Sequence, residues 1–439
     1  MESTRAKRKA TNGERESAAP RPEIDRSTMD RQPWSRSFAL ALLVALTAGC
    51  EPEAPPVGCG FGPIHLHAHA EGGQFDDVAL TSTSSGAALV YSDRSGTHVR
   101  HLDRDGLGRG APVRLGPSCP GGLATVAQGA KLLVACARPA DPDRGRAGEV
   151  LLMEVEGARM RELGRLPGLR ARSRGVDLAA EGERLVLGWL DADELSARAW
   201  VAQHRDGAFR EPRALSSEPM LASPPSLLLR DGALHAAWSE SWLEAGGAAS
   251  GHLFVQREGE PPVPSLDLNG LRVPVRLGWM DGPVVALRDR RPRGADHERA
   301  LIGRLDERLR LVSSALRSPA RADDPESIAR LVPCGQHVLS VTTRRSRRQV
   351  TMVSLRRLGA DLRPVEAEHQ IYEYHARFPQ AAAACVDDQL VVAVGEQRTR
   401  VSPVPRLRTY VLRCGPGVAH ERTPGTEGQV LRKRGAEPH

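Results

Sequence analysis

Short apolar runs recur along the chain at a nearly constant interval. They read AALVYSD (87–93), KLLVACA (131–137), RLVLGWLD (184–191), ALHAAWSE (233–240), PVVALRD (283–289), HVLSVTT (337–343) and QLVVAVG (389–395). Aligned on Leu89, Leu133, Val186, His235, Val285, Leu339 and Val391, they give one copy about every fifty residues. A small-residue strand precedes most copies, as in DVALTST (77–83), GVDLAAEG (175–182) and SIARLVPCG (327–335). An alternating strand follows, as in THVRHLD (97–103), RAWVAQH (198–204) and QVTMVSLR (349–356), and then a polar turn and a short last strand. Helical periodicity is scarce. A nearly all-apolar strand beside an alternating one is the pattern of a strand buried on both faces. Four short strands per unit predict an all-β fold, a single β-propeller over residues 64–416, with seven four-stranded blades favoured. Six blades with one divergent unit, or two stacked β-sandwiches, are the alternatives; a sandwich gives less reason for the period.

The start of the chain has a different pattern. Phe38 to Gly49 carry no charge, follow Arg31 and Arg36, and end in Leu46-Thr47-Ala48-Gly49-Cys50. The run is too short to span a bilayer, which takes ~20 residues, and suits the apolar core of a signal peptide. Its end resembles the bacterial lipoprotein lipobox. That resemblance implies lipidation of the Cys50 thiol and cleavage before it, hence a cell-envelope, lipid-anchored location. Thr47 departs mildly from the usual aliphatic residue. An ordinary secretory signal, a buried strand or an uncleaved anchor are the other readings. The expected organisation is an early-start or disordered extension (1–28), a signal peptide (29–49), a proline-rich tether (50–63), the propeller (64–416) and a disordered tail (417–439).

Charge narrows the partners only a little. Of the formal +7, residues 1–28 hold +2 and residues 29–49 hold +1, leaving a mild +4 on the exported part. The cations are arginines except Lys7, Lys9, Lys131 and Lys433, a skew that fits a GC-rich genome. No nucleic-acid signature is present, and no nucleic-acid partner is expected. Besides Cys50 there are six cysteines, and no CxxC, in keeping with disulfides in an oxidising compartment. Sequence alone leaves every pairing open. On the propeller, Cys119 and Cys136 fall on neighbouring strands, Cys334 and Cys385 in equivalent turns of adjacent blades, and Cys59 and Cys414 at the two ends of the ring.

The stretch VYSDRSGTHVRHLDRDGLGRGAPVRL (90–115) resembles the repeats of predicted bacterial lipoproteins built from divergent propeller units. The resemblance implies a fold and a location, not an activity.

Three groups of residues are candidate sites. His65, His67 and His69 alternate along one strand, with side chains ~7 Å apart, a spacing open to zinc or copper but wide for one ion. The loops between second and third strands share one rim, and three are arginine-rich (288–299, 343–349 and 396–408); Arg290, Arg291, Arg293, Arg344, Arg345, Arg347 and Arg348 are the candidates, which suit anionic polysaccharide or lipid headgroups. Asp93, Asp191, Glu240 and Asp289 recur after the second strand, as turn caps or as a ring around the channel. Trp189, Trp238, Trp242 and Trp279 fit blade interfaces, with Trp242 in a loop. No catalytic motif is recognisable: SDRSGTH (92–98) misses the sialidase Asp-box in register and lacks its tryptophan. The expected role is therefore a non-enzymatic envelope binding or scaffold protein without cofactor, its partner the membrane, an anionic polysaccharide or another envelope protein. The alternative is an envelope polysaccharide hydrolase or lyase. A channel-facing group of three or more carboxylates with an arginine would favour the enzyme.

Overall fold

The structure, a computed structural model, describes residues 58–70, 74–217, 220–245, 247, 249–269, 273–290, 298–317, 326–335, 337–345, 350–365, 369–374, 380–395 and 404–415. Within these, the side chains at 288–290, 298–300, 313–317, 326–329, 343–345, 350–352, 372–374 and 414–415 are outside the description. The chain divides into Met1–Pro55, which lies wholly outside the described residues, and the folded unit Pro56–His439. Cys50 and the expected signal segment belong to the first.

The folded unit is built of strands. β1 (Gly58–Phe61) and β2 (His65–His69) are followed by a sheet of β3 (Asp77–Thr83), β4 (Gly86–Asp93), β5 (Gly96–Leu102) and β6 (Gly108–Gly116). The next sheet holds β7 (Gly122–Gln128), β8 (Lys131–Arg138), β9 (Gly148–Glu156) and β10 (Arg159–Leu169). A nine-stranded sheet comprises β11 (Val176–Glu181), β12 (Arg184–Ala192), β13 (Ala197–Arg205), β14 (Ala208–Ala214), β15 (Leu221–Ala222), β16 (Ser226–Arg230), β17 (Ala233–Leu243), β18 (Ala249–Arg257) and β19 (Val263–Asn269). Two further sheets are β20 (Val275–Trp279), β21 (Pro283–Arg290), β22 (Glu298–Leu305) and β23 (Leu311–Arg317), then β24 (Glu326–Cys334), β25 (His337–Arg345), β26 (Val350–Leu358) and β27 (His369–Tyr374). The last joins β28 (Gln380–Val386), β29 (Gln389–Gly395) and β30 (Arg406–Gly415) to β1 and β2.

The inner strands close a circuit. β3 touches β7, β7 touches β11, and contacts continue through β16, β20, β24 and β28 back to β3. The arrangement is a single β-propeller. The expectation of seven separate four-stranded blades needs correction. Five sheets stand as separate four- or five-stranded units, and the strands between Val176 and Asn269 form one sheet of nine. The cause is β15, whose Leu221 pairs with Ala197 of β13 while Leu221 and Ala222 pair with Ser241 and Glu240 of β17. This short strand stitches two neighbouring units into one hydrogen-bonded sheet.

Packing explains the uniform apolarity of the second strands. All eight residues of β4 are buried. Ala87, Leu89 and Tyr91 pack against the last sheet, while Ala88 and Val90 pack against β7–β9. With a neighbour on each side, neither face reaches solvent, so the polar half of an alternating pattern has no place. The turn entering β4 needs Gly86, at φ +144°, because a Cβ there would lie 2.2 Å from the carbonyl oxygen of Leu102. The ring closes by pairing the two ends of the folded unit: Cys59 faces Cys414, and His65 faces Thr409, across the β1–β30 and β2–β30 ladders.

Candidate functional site

The antiparallel order places the start of each inner strand and each turn between second and third strands on one rim, the mouth of the ring. Asp77 opens β3, and its carboxylate accepts the Val78 N–H at 2.8 Å and the Leu123 N–H of β7 at 2.7 Å. Asp177 of β11 repeats this, accepting the Leu178 N–H at 3.0 Å and the Leu227 N–H of β16 at 2.8 Å. Ser226 Oγ accepts the Leu277 N–H of β20 at 3.0 Å in the same way. Inner strands of successive units share no β-ladder, so these side chains tie them together.

Charges from four inner strands meet inside the ring. Burial pushes the Asp77 carboxyl above its ordinary value, against its backbone donors and the charges of Arg330 and Arg276. Burial and the nearby Arg276 charge lower the Arg330 guanidinium, while Asp177 and Asp77 oppose the shift. Two carboxylates and two guanidiniums thus share a poorly solvated centre, where each unpaired charge is costly.

Asp76 sits one residue nearer the mouth. Its backbone N–H donates to Ser92 O at 2.7 Å, and Ser92 Oγ donates to Asp76 Oδ2 at 3.3 Å. Burial raises its carboxyl above the usual range; the charges of Asp93 and Asp77 add to this, while the Ser92 bond and Arg94 oppose it. Asp93 is almost fully buried, and its Oδ1 accepts from Ser95 N at 2.8 Å and Ser95 Oγ at 2.5 Å. Because Ser95 Oγ gives its proton to Asp93, its 3.0 Å contact with His98 Nε2 makes that nitrogen the donor. Tyr91 stacks on His98 with centroids 5.2 Å apart. SDRSGTH is therefore a tight hairpin between β4 and β5, capped by Asp93. Three carboxylates, Asp76, Asp77 and Asp93, stand together with Arg94 at the mouth and two arginines deeper in the ring.

The sequence-picked residues are placed as follows. Asp191 accepts from Arg170 Nε and the Arg170 N–H at 2.8 and 2.9 Å, and Glu240 accepts from Trp238 Nε1 at 2.8 Å. Both bind neighbouring segments of the fold; the Asp289 side chain lies outside the description. Trp238 and Trp189 are buried, and Trp279 packs on His235, as interface residues. Trp242, half-buried, packs on His252. Arg290 ends β21, and Arg344 and Arg345 end β25, so these three continue strands rather than sit in loops. Their side chains, and Arg291, Arg293, Arg347 and Arg348 altogether, are outside the described residues. The histidine strand is not placed as a metal centre among the described residues. Its register shifts between Leu66 and Ala68, and His67 is 6 % exposed with Nε2 2.7 Å from Thr409 Oγ1. Among the described residues no group of three or more His, Cys, Asp or Glu is placed to hold a metal. Disulfides link Cys119 to Cys136 and Cys334 to Cys385. Cys59 is disulfide-bonded and faces Cys414, whose side chain lies outside the description.

Sequence reading missed Asp76, Asp77, Asp177, Arg276 and Arg330. The signal for two of them is present: DVAL and DLAA place an acid at the start of aligned inner strands.

No known protein family and no curated protein sequence matches this chain. Similar solved structures include Trypanosoma rangeli sialidase, at 10% identity over 71% of this chain and 56% of that one, TM-score 0.40. They also include the N11 neuraminidase-like protein of A/flat-faced bat/Peru/033/2010, at 10% identity over 84% and 97%, TM-score 0.43. A third is the Cps50 (Swd1) β-propeller domain of Myceliophteria thermophila, at 10% identity over 77% and 98%, TM-score 0.46. The chain spans little more than half the length of the sialidase chains it matches. At such identities the likeness extends to the fold alone. One expectation is nevertheless corrected: with sialidases among the similar structures, a propeller without a recognisable motif is no ground for a non-enzymatic role, and that assignment is withdrawn. Among the described residues no helix is long and apolar enough to cross a membrane.

Proposed function

We propose that this chain is an exported, lipid-anchored propeller that hydrolyses an anionic glycan of the cell envelope at the mouth of its ring. The nine-stranded sheet counts as two units in this reading, giving seven around the ring. The observation that carries it is Asp76, a carboxyl raised by burial and by the negative charges of Asp93 and Asp77, beside a channel holding Arg276 and Arg330. A carboxyl whose protonated form is favoured by burial and by neighbouring negative charge can donate its proton to a glycosidic oxygen as the anomeric C–O bond breaks. Water then adds to the anomeric carbon and passes its proton to a neighbouring carboxylate. Arg276 and Arg330 would hold the carboxylate or phosphate of the sugar through forked hydrogen bonds.

Lipidation at Cys50 fits this geometry. The folded unit begins at Gly58, opposite Gly415, at the rim away from the mouth. Intact-mass analysis of the exported chain tests the anchor: a diacylglyceryl mass on an N-terminal Cys50 is expected, and an unmodified one refutes it.

The test of the chemistry is release of reducing ends from purified acidic envelope polysaccharide by the wild type and Asp76→Asn. General acid catalysis contributes about 10²–10⁴-fold, so the variant should lose at least about a hundredfold. Wild-type activity should also fall as the pH rises through the raised Asp76 value, because only the protonated acid donates. An Asp76→Asn variant as active as the wild type, or a wild type that releases no reducing ends from any acidic envelope glycan, ends the reading.

A further inference from the structure

A second site lies on the flank of the ring, between β10 and the β13–β14 hairpin. A crevice of about 340 Å³ is lined there by Trp189, Trp200, Phe209, Pro167, Arg165 and Asp191, among others. That volume is within the range of small-molecule sites, ~300–1,000 Å³. The chain opens it with a bulge. The pairing of β10 with β9 shifts between Pro167 and Leu169, around Gly168 at φ +97° with open space where a Cβ would stand. Leu166 and Leu169 stay buried while Pro167 and Gly168 are left exposed.

Two parallel indoles form the aromatic wall. Trp189 is 4% exposed, and Trp200 lies nearly parallel to it, with centroids 6.1 Å apart and an 11° interplanar angle. The Arg198 guanidinium stands 5.0 Å from the Trp200 ring centre. Trp200 itself is only half-buried. The neighbouring unit carries the aligned pair Trp238–Phe254, stacked at 5.8 Å and 16°. The third unit thus repeats an interface pair, with the larger indole as its outer member, and sets it beside a crevice.

Arg198 lies over the Trp200 ring, and the two charged residues that line the crevice are already paired. Arg165 bonds Glu149 at 2.8 Å and Glu162 at 3.0 Å, and Asp191 bonds Arg170 Nε at 2.8 Å. A charged ligand would compete with those pairs for little gain. A neutral ligand with flat apolar faces and a hydroxylated edge would keep them, stack on the indole and accept or donate hydrogen bonds at either end. That is the chemistry of a pyranose ring with equatorial substituents. We infer that the crevice binds one neutral sugar ring of a polysaccharide, stacked on Trp200. This site stands apart from the mouth and does not depend on hydrolysis there.

The test is calorimetric titration of the full chain with cellotetraose, chitotetraose and maltotetraose, with tryptophan fluorescence as a second readout. At least one should bind saturably and shift the emission. Trp200→Ala should weaken it on the order of tenfold, Trp200→Phe should keep most of the affinity, and Trp242→Ala should change nothing. Asp76→Asn should bind as the wild type does, which separates this site from the mouth. Failure of all three sugars to bind, or equal affinity in Trp200→Ala and wild type, overturns the inference. If Trp200→Ala unfolds, a Trp200→Phe variant with the weakening expected of an alanine does so as well.

Discussion

Acid should loosen the closure of the ring through one histidine. His67 lies between β30 and the first sheet; its Nε2 donates to Thr409 Oγ1 at 2.7 Å, and that hydroxyl donates to Gly106 O at 2.9 Å. Arg100 Nη1 donates to the His67 carbonyl at 2.9 Å. The imidazole is held neutral, its pKa lowered from 6.5 to about 4, first by burial, then by the charges of Arg100 and His65, with the Gly106 backbone bond opposing. Above the unfolded value of 6.5 the group is neutral in both states and costs nothing. As the pH falls from there toward 4, the unfolded chain takes up a proton that the folded chain refuses, and stability drops. At 1.36 kcal/mol per unit of pKa difference, the loss is roughly 2 kcal/mol between about pH 7 and pH 5, and nears 3 kcal/mol around pH 4. His67→Gln keeps an N–H for Thr409 and removes the proton site. Urea unfolding of both proteins at the two pH values isolates the term, since every other group titrates alike in each. The wild type should lose about 2 kcal/mol more than His67→Gln. Equal losses would refute the argument, as would an NMR titration of the His67 ring with an ordinary midpoint.

Other perturbations address the ring itself. Breaking Cys119–Cys136, a closure of 17 residues, should cost about 3 kcal/mol in the chain-entropy model, read as a lower urea midpoint in the double serine variant. Cys334–Cys385 closes 51 residues and joins neighbouring units, so its loss should cost about 4 kcal/mol by the same assay. Asp177→Ala strips the Leu227 N–H of its acceptor between inner strands and should cost about 1–3 kcal/mol, read as a lower melting temperature. Gly86→Ala puts a methyl group 2.2 Å from the Leu102 carbonyl oxygen at a φ of +144°; we expect little folded protein, and a normal melt would contradict the geometry.

The repeat was legible because its cause is local. A second strand packed on both faces must be apolar throughout, and Leu89, Val186 and Val391 announce it in three lines of text. The Cys119–Cys136 bond forms, but not between paired strands as expected: Cys119 lies in the segment before β7, and Leu123 is the partner of Cys136 in the ladder. What could not be read was set by non-local geometry. Leu221 and Ala222 look like loop residues, yet their contacts with β13 and β17 merge two units. His65, His67 and His69 alternate in sequence, but a register shift opposite β30 and a threonine 342 residues away commit the middle one. Arg276 and Arg330 lie 54 positions apart in strands with no charged neighbour pattern, and only ring closure brings their fields together. The arginine-rich stretches drew attention because charge is conspicuous in a sequence, and the inner acids escaped it because single aspartates are common.

The inner aspartates also explain how a mouth with an unusual acid can persist. Raising the Asp76 carboxyl requires holding a partly buried acid beside other carboxylates, an arrangement that costs stability. The backbone hydrogen bonds made to Asp77 and Asp177 offset part of that cost, although the Asp77 charge is itself one of its causes. Each aspartate satisfies a half-buried carboxylate with two backbone N–H groups, one from the next unit, and each lies in the field of Arg330. Asp77 therefore both fastens adjacent inner strands and supplies negative charge next to Asp76, and with Asp177 it is the counter-charge to Arg330. Substituting Asp77 should accordingly act at two levels: Asp77→Asn should loosen the β3–β7 junction and also let the Asp76 carboxyl fall toward its ordinary value. A high-pH limb of activity that shifts to lower pH in Asp77→Asn, at a temperature where the variant is still folded, would tie the fastening of the ring to the chemistry at its mouth; an unmoved limb would separate them.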